Sequence, residues 1–444
     1  MTVSRTICLG FIAVILAGTL LLMLPISTAN GTWNAPIVAL FTSTSAVCVT
    51  GHIVVDTATH FSPVGQFFIM ALVQVGGLGY MTATTFLLLL IGRKFNLKDK
   101  IALQQALDRS GIQGAAQVVR SIIATTLLFE ISGIFLLLTV FAPKYGWLQG
   151  LWLATFHSVS AWNNAGFSLF SDNLIGYQSS VVLNLVIPGL IIFGGIGYEV
   201  IFELYLWLRA VLARKPEFMI FSLNFKVATS TTLMLLFLGT LTLLATESRN
   251  YELYGSMDVG TRLMVAWFQS VTARTAGFNT VDIGLMTNAA LFIIIALMFI
   301  GGSPGGTAGG VKTTTMRVMT SVTKTILQGK EEVLMYERHV PLSLILKAVG
   351  VAVGSVATVI CATTLIAISD PKVDFIRVLF EVVSAFGTVG LSTGITAALT
   401  PLAKLVLVAT MYIGRVGILL LMAAVLGDPR PSSISYPEEN LLVG

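Results

Sequence analysis

The chain has 444 residues, 55% hydrophobic and only 11% charged, with a net charge of +5 and a mean hydropathy of +0.88. Soluble domains carry about 25% charged residues, so a soluble globular protein is excluded and an integral membrane protein is indicated. The basic balance calls for no nucleic-acid partner, because membrane proteins gather Lys and Arg on one face of the bilayer.

Apolar stretches of bilayer length, roughly 20 residues, recur at 7–25, 64–92, 118–142, 181–208, 227–246, 283–300, 347–368 and 402–427. They predict an all-α polytopic protein with eight transmembrane helices. The first is read as retained, being too long and too poorly matched to a cleavage site for a signal peptide. Between the members of each pair lies a shorter apolar segment, at about 36–47, 149–161, 262–272 and 374–386. Segments of that length suit entry halfway into the membrane and return.

Each re-entrant segment runs into a glycine-centred loop: Ser45-AVCVTG-His52, Ser160-AWNNAG-Phe167, Val271-TARTAG-Phe278 and Ser384-AFGTVG-Leu391. The glycines Gly51, Gly166, Gly277 and Gly390 are 115, 111 and 113 residues apart. A fixed period marks a repeated architecture. One membrane domain, 1–444, is therefore divided into repeats 1–98, 99–225, 226–346 and 347–444, each helix, re-entrant loop, helix. Non-helical backbone at membrane depth persists only where it lines a cavity or is buried in protein. Four such loops are most simply satisfied by converging on a pseudo-fourfold pore.

Orientation follows from the cations. The stretches 93–120, 209–226 and 312–347, with Arg5 and Arg430, hold eighteen of the 26 Lys and Arg residues. Both termini and the inter-repeat loops are therefore expected to be cytoplasmic.

The residues before the filter glycines are Val49 and Thr50, Asn164 and Ala165, Thr275 and Ala276, and Thr388 and Val389. None is acidic, whereas a divalent-cation pore or proton relay would show an Asp or Glu ring. Backbone carbonyl rings select monovalent cations, potassium above all. The bland alternative is that small residues merely let helices pack closely.

A second glycine motif begins 24 to 28 residues after each filter glycine: Val75-GGLG-Tyr80, Phe193-GGIG-Tyr198, Ile300-GGSPG-Gly306 and Ile413-GRVG-Ile418. The third copy expands into a stretch holding Gly301, Gly302, Pro304, Gly305, Gly306, Gly309 and Gly310, where a helix must break. It reads as a flexible gate below the filter, or as a plain broken helix. It is no phosphate loop, since Val311 stands between the last glycine and Lys312. The fourth copy carries Arg415 in place of a glycine. Its candidate partners are Glu381, Asp374 or backbone carbonyls of the broken helix, in a structural or a gating role. Arg274 is read as bracing the filter from behind.

Other chemistry is thin. Cys8, Cys48 and Cys361 lack metal spacing, and the four histidines form no ligand set. Glu130, Glu199 and Glu203 are candidate proton or sodium sites, or packing partners. With no nucleophile–base arrangement, an enzyme is not expected.

Together, the four loops, the glycine-rich break and Arg415 resemble the Trk/Ktr/HKT superfamily of potassium transporters. The resemblance covers nearly the whole chain, and its specificity lies in the combination. Eight spans starting at the first repeat are nearest the bacterial Ktr membrane subunit (KtrB); the extra pair of spans typical of TrkH-type members is absent. The resemblance implies potassium uptake, often sodium-stimulated, across a bacterial plasma (inner) membrane. It also implies a homodimer docked on a cytoplasmic nucleotide-binding ring of the KtrA type. Its potassium filter falls on Gly51, Gly166, Gly277 and Gly390, its gating loop on Gly301 to Gly310 and its pore arginine on Arg415. In that family serine in the first loop accompanies sodium passage in plant members, so Gly51 favours potassium. No bound cofactor is implied; the metal is potassium as cargo, with sodium as a second ion.

The basic cytoplasmic loops, including Lys330-EEVLMYERH-Val340, suit a partner protein or anionic membrane lipid, and the apolar tail Leu441-LV-Gly444 suits insertion into a second subunit. Two other classes remain. A secondary transporter with discontinuous helices around a midplane site predicts inverted halves, whereas the four copies here share one orientation. An intramembrane enzyme predicts polar catalytic side chains clustered at one depth.

Overall fold

The computed structural model describes residues 2–79, 115–214, 220–255 and 257–427. Its four outer helices are Val3–Met23, Ala115–Tyr145, Leu223–Glu247 and Leu342–Ser369. They are long and apolar enough to cross a membrane, and only 28–39% of the most apolar 18-residue stretch of each is buried within the protein. Most of their surface is thus left for lipid.

Four short helices follow the outer ones: Pro36–Val47, Trp147–Trp162, Val259–Thr272 and Phe375–Phe386. They lie on the four predicted re-entrant segments, and their C-terminal halves are buried. Three are fastened to their outer helix in the same way. Ser43, Ser158 and Ser270 donate their hydroxyls to the carbonyls of Ile15, Glu130 and Leu236 at 2.7, 2.7 and 2.9 Å. Three residues on from each acceptor stand Gly18, Gly133 and Gly239, where any Cβ would overlap that serine oxygen.

The inner helices begin at Pro63, Val181, Asn288 and Pro401. Their N-caps are Ser62, Ser180, Thr287 and Thr400, each accepting from the backbone N–H three residues on, the usual capping geometry. Two caps are held in turn by a carboxylate at the end of the outer helix. Glu247 accepts from the Thr287 backbone N–H and hydroxyl, and Asp370 does the same for Thr400. Desolvation acts to raise the Asp370 carboxyl pKa, but hydrogen bonds from Ser369 and Thr400 outweigh it and hold the pKa below the ordinary value.

The inner helices depart from simple spans. The expected stretches 181–208 and 402–427 each break into two helices, bent by 106° at Gly197 and 96° at Gly417. These glycines have φ of +100° and +86°, and a left-handed residue cannot continue a right-handed helix. The third inner helix, Asn288–Phe299, stops before a loop and resumes as Thr313–Leu327. The first ends at Leu78 before Gly79, φ +77°. The remainder of the 64–92 span, the boundary at 98/99, most of the basic stretch 93–120, Lys215, Arg430 and the tail 441–444 lie outside the described residues.

The amphipathic stretch 330–340 forms a two-residue hairpin, Leu334–Met335 against Arg338–His339. Tyr336 and Glu337, both with positive φ, make its turn. Val333, Met335 and Val340 pack onto Val227, Val318 and Ala348, so its apolar side is used within the chain.

Candidate ion pathway

The four short helices deliver four copies of one backbone shape. Gly51, Gly166, Gly277 and Gly390 have φ of +85°, +67°, +80° and +89°, and two residues earlier Val49, Asn164, Thr275 and Thr388 have φ of +54°, +56°, +71° and +51°. Left-handed backbone is rare in non-glycine residues, so its recurrence at one position in every repeat is a built feature. Backbone bonds hold three copies alike: Thr50, Ala165 and Val389 donate to Ser45, Ser160 and Ser384 carbonyls at 2.7, 2.8 and 2.8 Å. In the third repeat the register moves by one, Ala276 donating to Thr272 at 2.9 Å.

The glycines close a ring. A Cβ on Gly51 would overlap the carbonyl oxygen of Ala165, on Gly166 that of Ala276, on Gly277 that of Val389, and on Gly390 that of Thr50. Each repeat thus abuts the next, and the fourth returns to the first. Only hydrogen fits at these positions, and only glycine tolerates the angle at little cost. The twelve residues predicted as the filter lie on the four loops whose glycines form this ring.

The helix ends supply the charge. Each short helix ends at a residue, Val47, Trp162, Thr272 or Phe386, within five positions of its filter glycine. A helix C-terminus carries about half a negative charge, so four of them beside the ring favour a cation without an acidic ring. On one side the ring is the floor of an open cavity of about 390 Å³, whose lining includes all four glycines and Asp56, Asp172 and Asp282. These aspartates follow their glycines by five or six residues in three repeats, a repeat signal the sequence reading passed over.

Polar side chains of the short helices brace the strands that leave the ring. His157 bonds Ser168 at 3.0 Å, and Gln269 bonds Thr280 at 3.4 Å. Glu381 accepts from the Ser392 hydroxyl at 2.6 Å and the Thr393 N–H at 2.9 Å. Glu381 also meets His52 Nε2 at 2.9 Å, fully buried, which ties the last repeat to the first.

On the other side of the ring lies the glycine-rich loop, and it touches the second and fourth repeats. Ser303 and Thr307 N–H groups donate to Gly195 and Gly194 carbonyls at 2.9 and 3.0 Å, while Tyr198 N–H donates to Gly305 O at 3.2 Å. Gly309 packs against the Thr388 side chain and Gly310 against Gly387. The predicted gate residues Gly301, Gly302, Pro304, Gly305, Gly306, Gly309 and Gly310 all lie in this loop.

Arg415 clasps it. Its guanidinium donates to the Thr307 carbonyl and to the carbonyls of Gly76 and Gly77, joining repeats 4, 3 and 1. Of the partners considered, loop carbonyls are the ones found; Glu381 is taken by His52, and Asp374 faces Arg377 across an exposed turn at 4.0 Å. Arg274 reaches Gly301 O at 3.2 Å, so it holds the start of the loop.

The first glycine of the second motif proves to be a seat. Cβ atoms on Gly76, Gly194 and Gly414 would overlap the carbonyls of Val47, Trp162 and Phe386, the last residues of the short helices. In the third repeat Gly301 packs instead on Gly309 O, so the loop folds into the space. Glu130 accepts from Asn163 at 3.2 Å, and Glu203 binds Ser222 through its N–H and hydroxyl. Among the described residues no group of three or more His, Cys, Asp or Glu could hold a metal ion.

Four re-entrant helices feeding one glycine ring, inside lipid-length helices, define a pore-loop integral membrane protein. The TrkH profile, described as a cation transport protein, matches residues 3–435. The chain is 38% identical over 444 residues to Ktr system potassium uptake protein B of Bacillus subtilis strain 168, covering 100% of this chain and 97% of that one. It is 36% identical over 445 residues to the potassium/sodium uptake protein NtpJ of Enterococcus hirae, covering 99% and 97%. The crystal structure of the potassium transporter TrkH from Vibrio parahaemolyticus superposes with a TM-score of 0.71 at 19% identity, over 95% of this chain and 85% of that one. The chain belongs to the TrkH family of cation transport proteins.

Proposed function

We propose that this chain takes up potassium across a bacterial plasma membrane through the ring formed by Gly51, Gly166, Gly277 and Gly390. The observation that carries the reading is the closed circuit of glycine against carbonyl around four repeats. Such a ring offers backbone oxygens, and helix C-termini behind it, to a weakly hydrated monovalent cation. The cavity bearing Asp56, Asp172 and Asp282 is the extracellular entrance, with both termini cytoplasmic. The loop from Gly301 to Gly310 is the gate, latched by Arg415.

Potassium is in the names of both sequence relatives, and sodium in that of NtpJ, which supports sodium as a second ion or activator. A homodimer working with a cytoplasmic nucleotide-binding ring of the KtrA type fits the word "system" in the name of the Bacillus relative. The bends at Gly197 and Gly417 also suit a transporter with discontinuous helices, but four copies facing one way fit a pore better than inverted halves.

The test is potassium uptake by an uptake-deficient bacterial strain expressing the chain with a KtrA-type partner, with and without sodium. Growth at low potassium that fails with Gly51→Ser supports the ring as the conduit. No growth even with the partner present would count against the reading.

A further inference from the structure

The glycine-rich loop is held by two kinds of contact. Most are backbone bonds to the scaffold, such as those to Gly194 and Gly195. The Thr307 hydroxyl does something else. It donates to the Trp162 carbonyl at 3.3 Å and meets Asn164 Oδ1 at 3.4 Å. Asn164 is a residue of the ring backbone, left-handed at φ +56°, two positions before Gly166. Its Nδ2 continues the chain, donating to Thr275 Oγ1 at 3.2 Å, and Thr275 holds the same left-handed position in the third loop. At its other end the chain begins at Arg415, which donates to the carbonyl of Thr307 itself. Arg415, Thr307, Asn164 and Thr275 therefore form one hydrogen-bonded line from the latch of the loop to two of the four filter strands.

We infer that Thr307 is a positioning residue that couples the loop to ion selection, so that a docked loop sharpens the filter and a released loop slackens it. The inference rests on the proposed potassium pore and deepens it. Asn164 and Thr275 both sit at a strained backbone angle, and such residues persist when their surroundings over-determine them. Removing the loop takes one partner from the Asn164 amide and frees it to turn, and with it the peptide planes that carry the carbonyls of Asn164 and Ala165. Coupling between sites is reciprocal. An ion that favours the native filter geometry must then also favour the docked loop, so filter occupancy reports to the gate through side chains that touch no ion.

The decisive variant is Thr307→Val, which keeps the shape and deletes the hydroxyl. Potassium and sodium influx are measured separately, at equal external concentrations, in the uptake-deficient strain with membrane amounts matched. A net hydrogen bond of ordinary strength corresponds to about a three- to tenfold change, and that is the expected fall in the potassium-to-sodium influx ratio. Thr307→Ser, which retains the hydroxyl, is expected to restore most of the ratio. In Asn164→Ala the valine substitution is expected to change the ratio little further, because the filter-side partner is already gone while the bond to the Trp162 carbonyl does not reach the filter backbone. A ratio unchanged in Thr307→Val, or potassium and sodium influx rising together, overturns the coupling while leaving the pore intact. A wild-type chain that carries no potassium overturns the pore reading itself, and the coupling with it. Should the valine variant fail to reach the membrane, Thr307→Ala also lacks the hydroxyl and decides the question by the same ratio.

Discussion

The two sides of the glycine ring follow different rules. Toward the open cavity the four repeats behave as copies: the same re-entrant helix, the same left-handed pair of residues, the same contact of glycine on the next carbonyl. On the loop side the copies diverge. The second and fourth inner helices bend at a single glycine, the third opens into a loop that packs on the second and fourth repeats, and the fourth also carries an arginine where the others have glycine. An ion filter gains from symmetry, because equivalent oxygens surround a spherical ligand evenly. If the loop is the gate proposed above, asymmetry serves it, since a single segment must be able to leave without the ring coming apart.

If the ring is a cooperative closed circuit, its four glycines should be equally intolerant. Gly51→Ala, Gly166→Ala, Gly277→Ala and Gly390→Ala each place a methyl over a backbone oxygen, and each sits at a backbone angle costing an L-residue about 1–2 kcal/mol before any overlap. Loss of at least about tenfold in potassium influx is expected at all four, since about 1.4 kcal/mol is a factor of ten. One member retaining wild-type influx and selectivity would break the claim of equivalence.

Buried pairing inside the ring side comes next. Glu381 and His52 are fully buried and join repeat 4 to repeat 1. Removing one member of a buried pair costs about 3–5 kcal/mol, so Glu381→Ala should lower the unfolding temperature in detergent by many degrees. The double variant with His52→Leu should recover part of that loss. Equal stability of Glu381→Ala and wild type would show that the seam is held by the backbone ring alone.

On the loop side the expected effect is functional. Arg415 makes three bonds to carbonyls in two repeats, and a charged hydrogen bond is worth about 1.5–3 kcal/mol. Arg415→Gln should favour the released loop by about ten- to a hundredfold, raising influx of both ions and, by the coupling inferred above, lowering the potassium-to-sodium ratio. Arg415→Lys separates latch from charge. Lysine keeps the charge but lacks the forked donor geometry, so influx near that of glutamine marks a latch, and influx near wild type marks an electrostatic barrier.

Much of the fold was legible in the sequence because repetition amplified it. The re-entrant helices and the break after Ile300 carry glycine or length signals that recur at one period, and the residues proposed as the filter were picked out by the same signals. What stayed hidden lacks a composition signal. Gly197 and Gly417 belong to the second glycine motif, where inner helices can approach closely or bend, but only the backbone angle shows that the bend falls on these two positions. The role of Gly76, Gly194 and Gly414 depends on which carbonyl arrives opposite them, which is a property of packing. Thr307 carries no signal of its own in the sequence; its meaning comes from Asn164, 143 positions away. Arg415 was visible as a buried charge in an apolar span, yet its partners are carbonyls, and carbonyls are the same in every residue.

The smallest effect tests whether the repeats are equivalent away from the ring as well. The N-caps Ser62, Ser180, Thr287 and Thr400 occupy one position in four inner helices, but Thr287 and Thr400 are further gripped by Glu247 and Asp370. Replacing a cap by alanine typically costs about 1 kcal/mol. Ser62→Ala and Ser180→Ala should each lose about that much stability, and Thr287→Ala and Thr400→Ala more, because the carboxylate also loses a hydroxyl donor. None of the four should change the potassium-to-sodium ratio, since the caps stand at the far end of the inner helix from the motif that seats on the filter. A cap variant that altered selectivity without altering stability would mean that strain travels along the inner helix to the ring, and the division between a rigid symmetric filter and an adjustable loop would have to be redrawn.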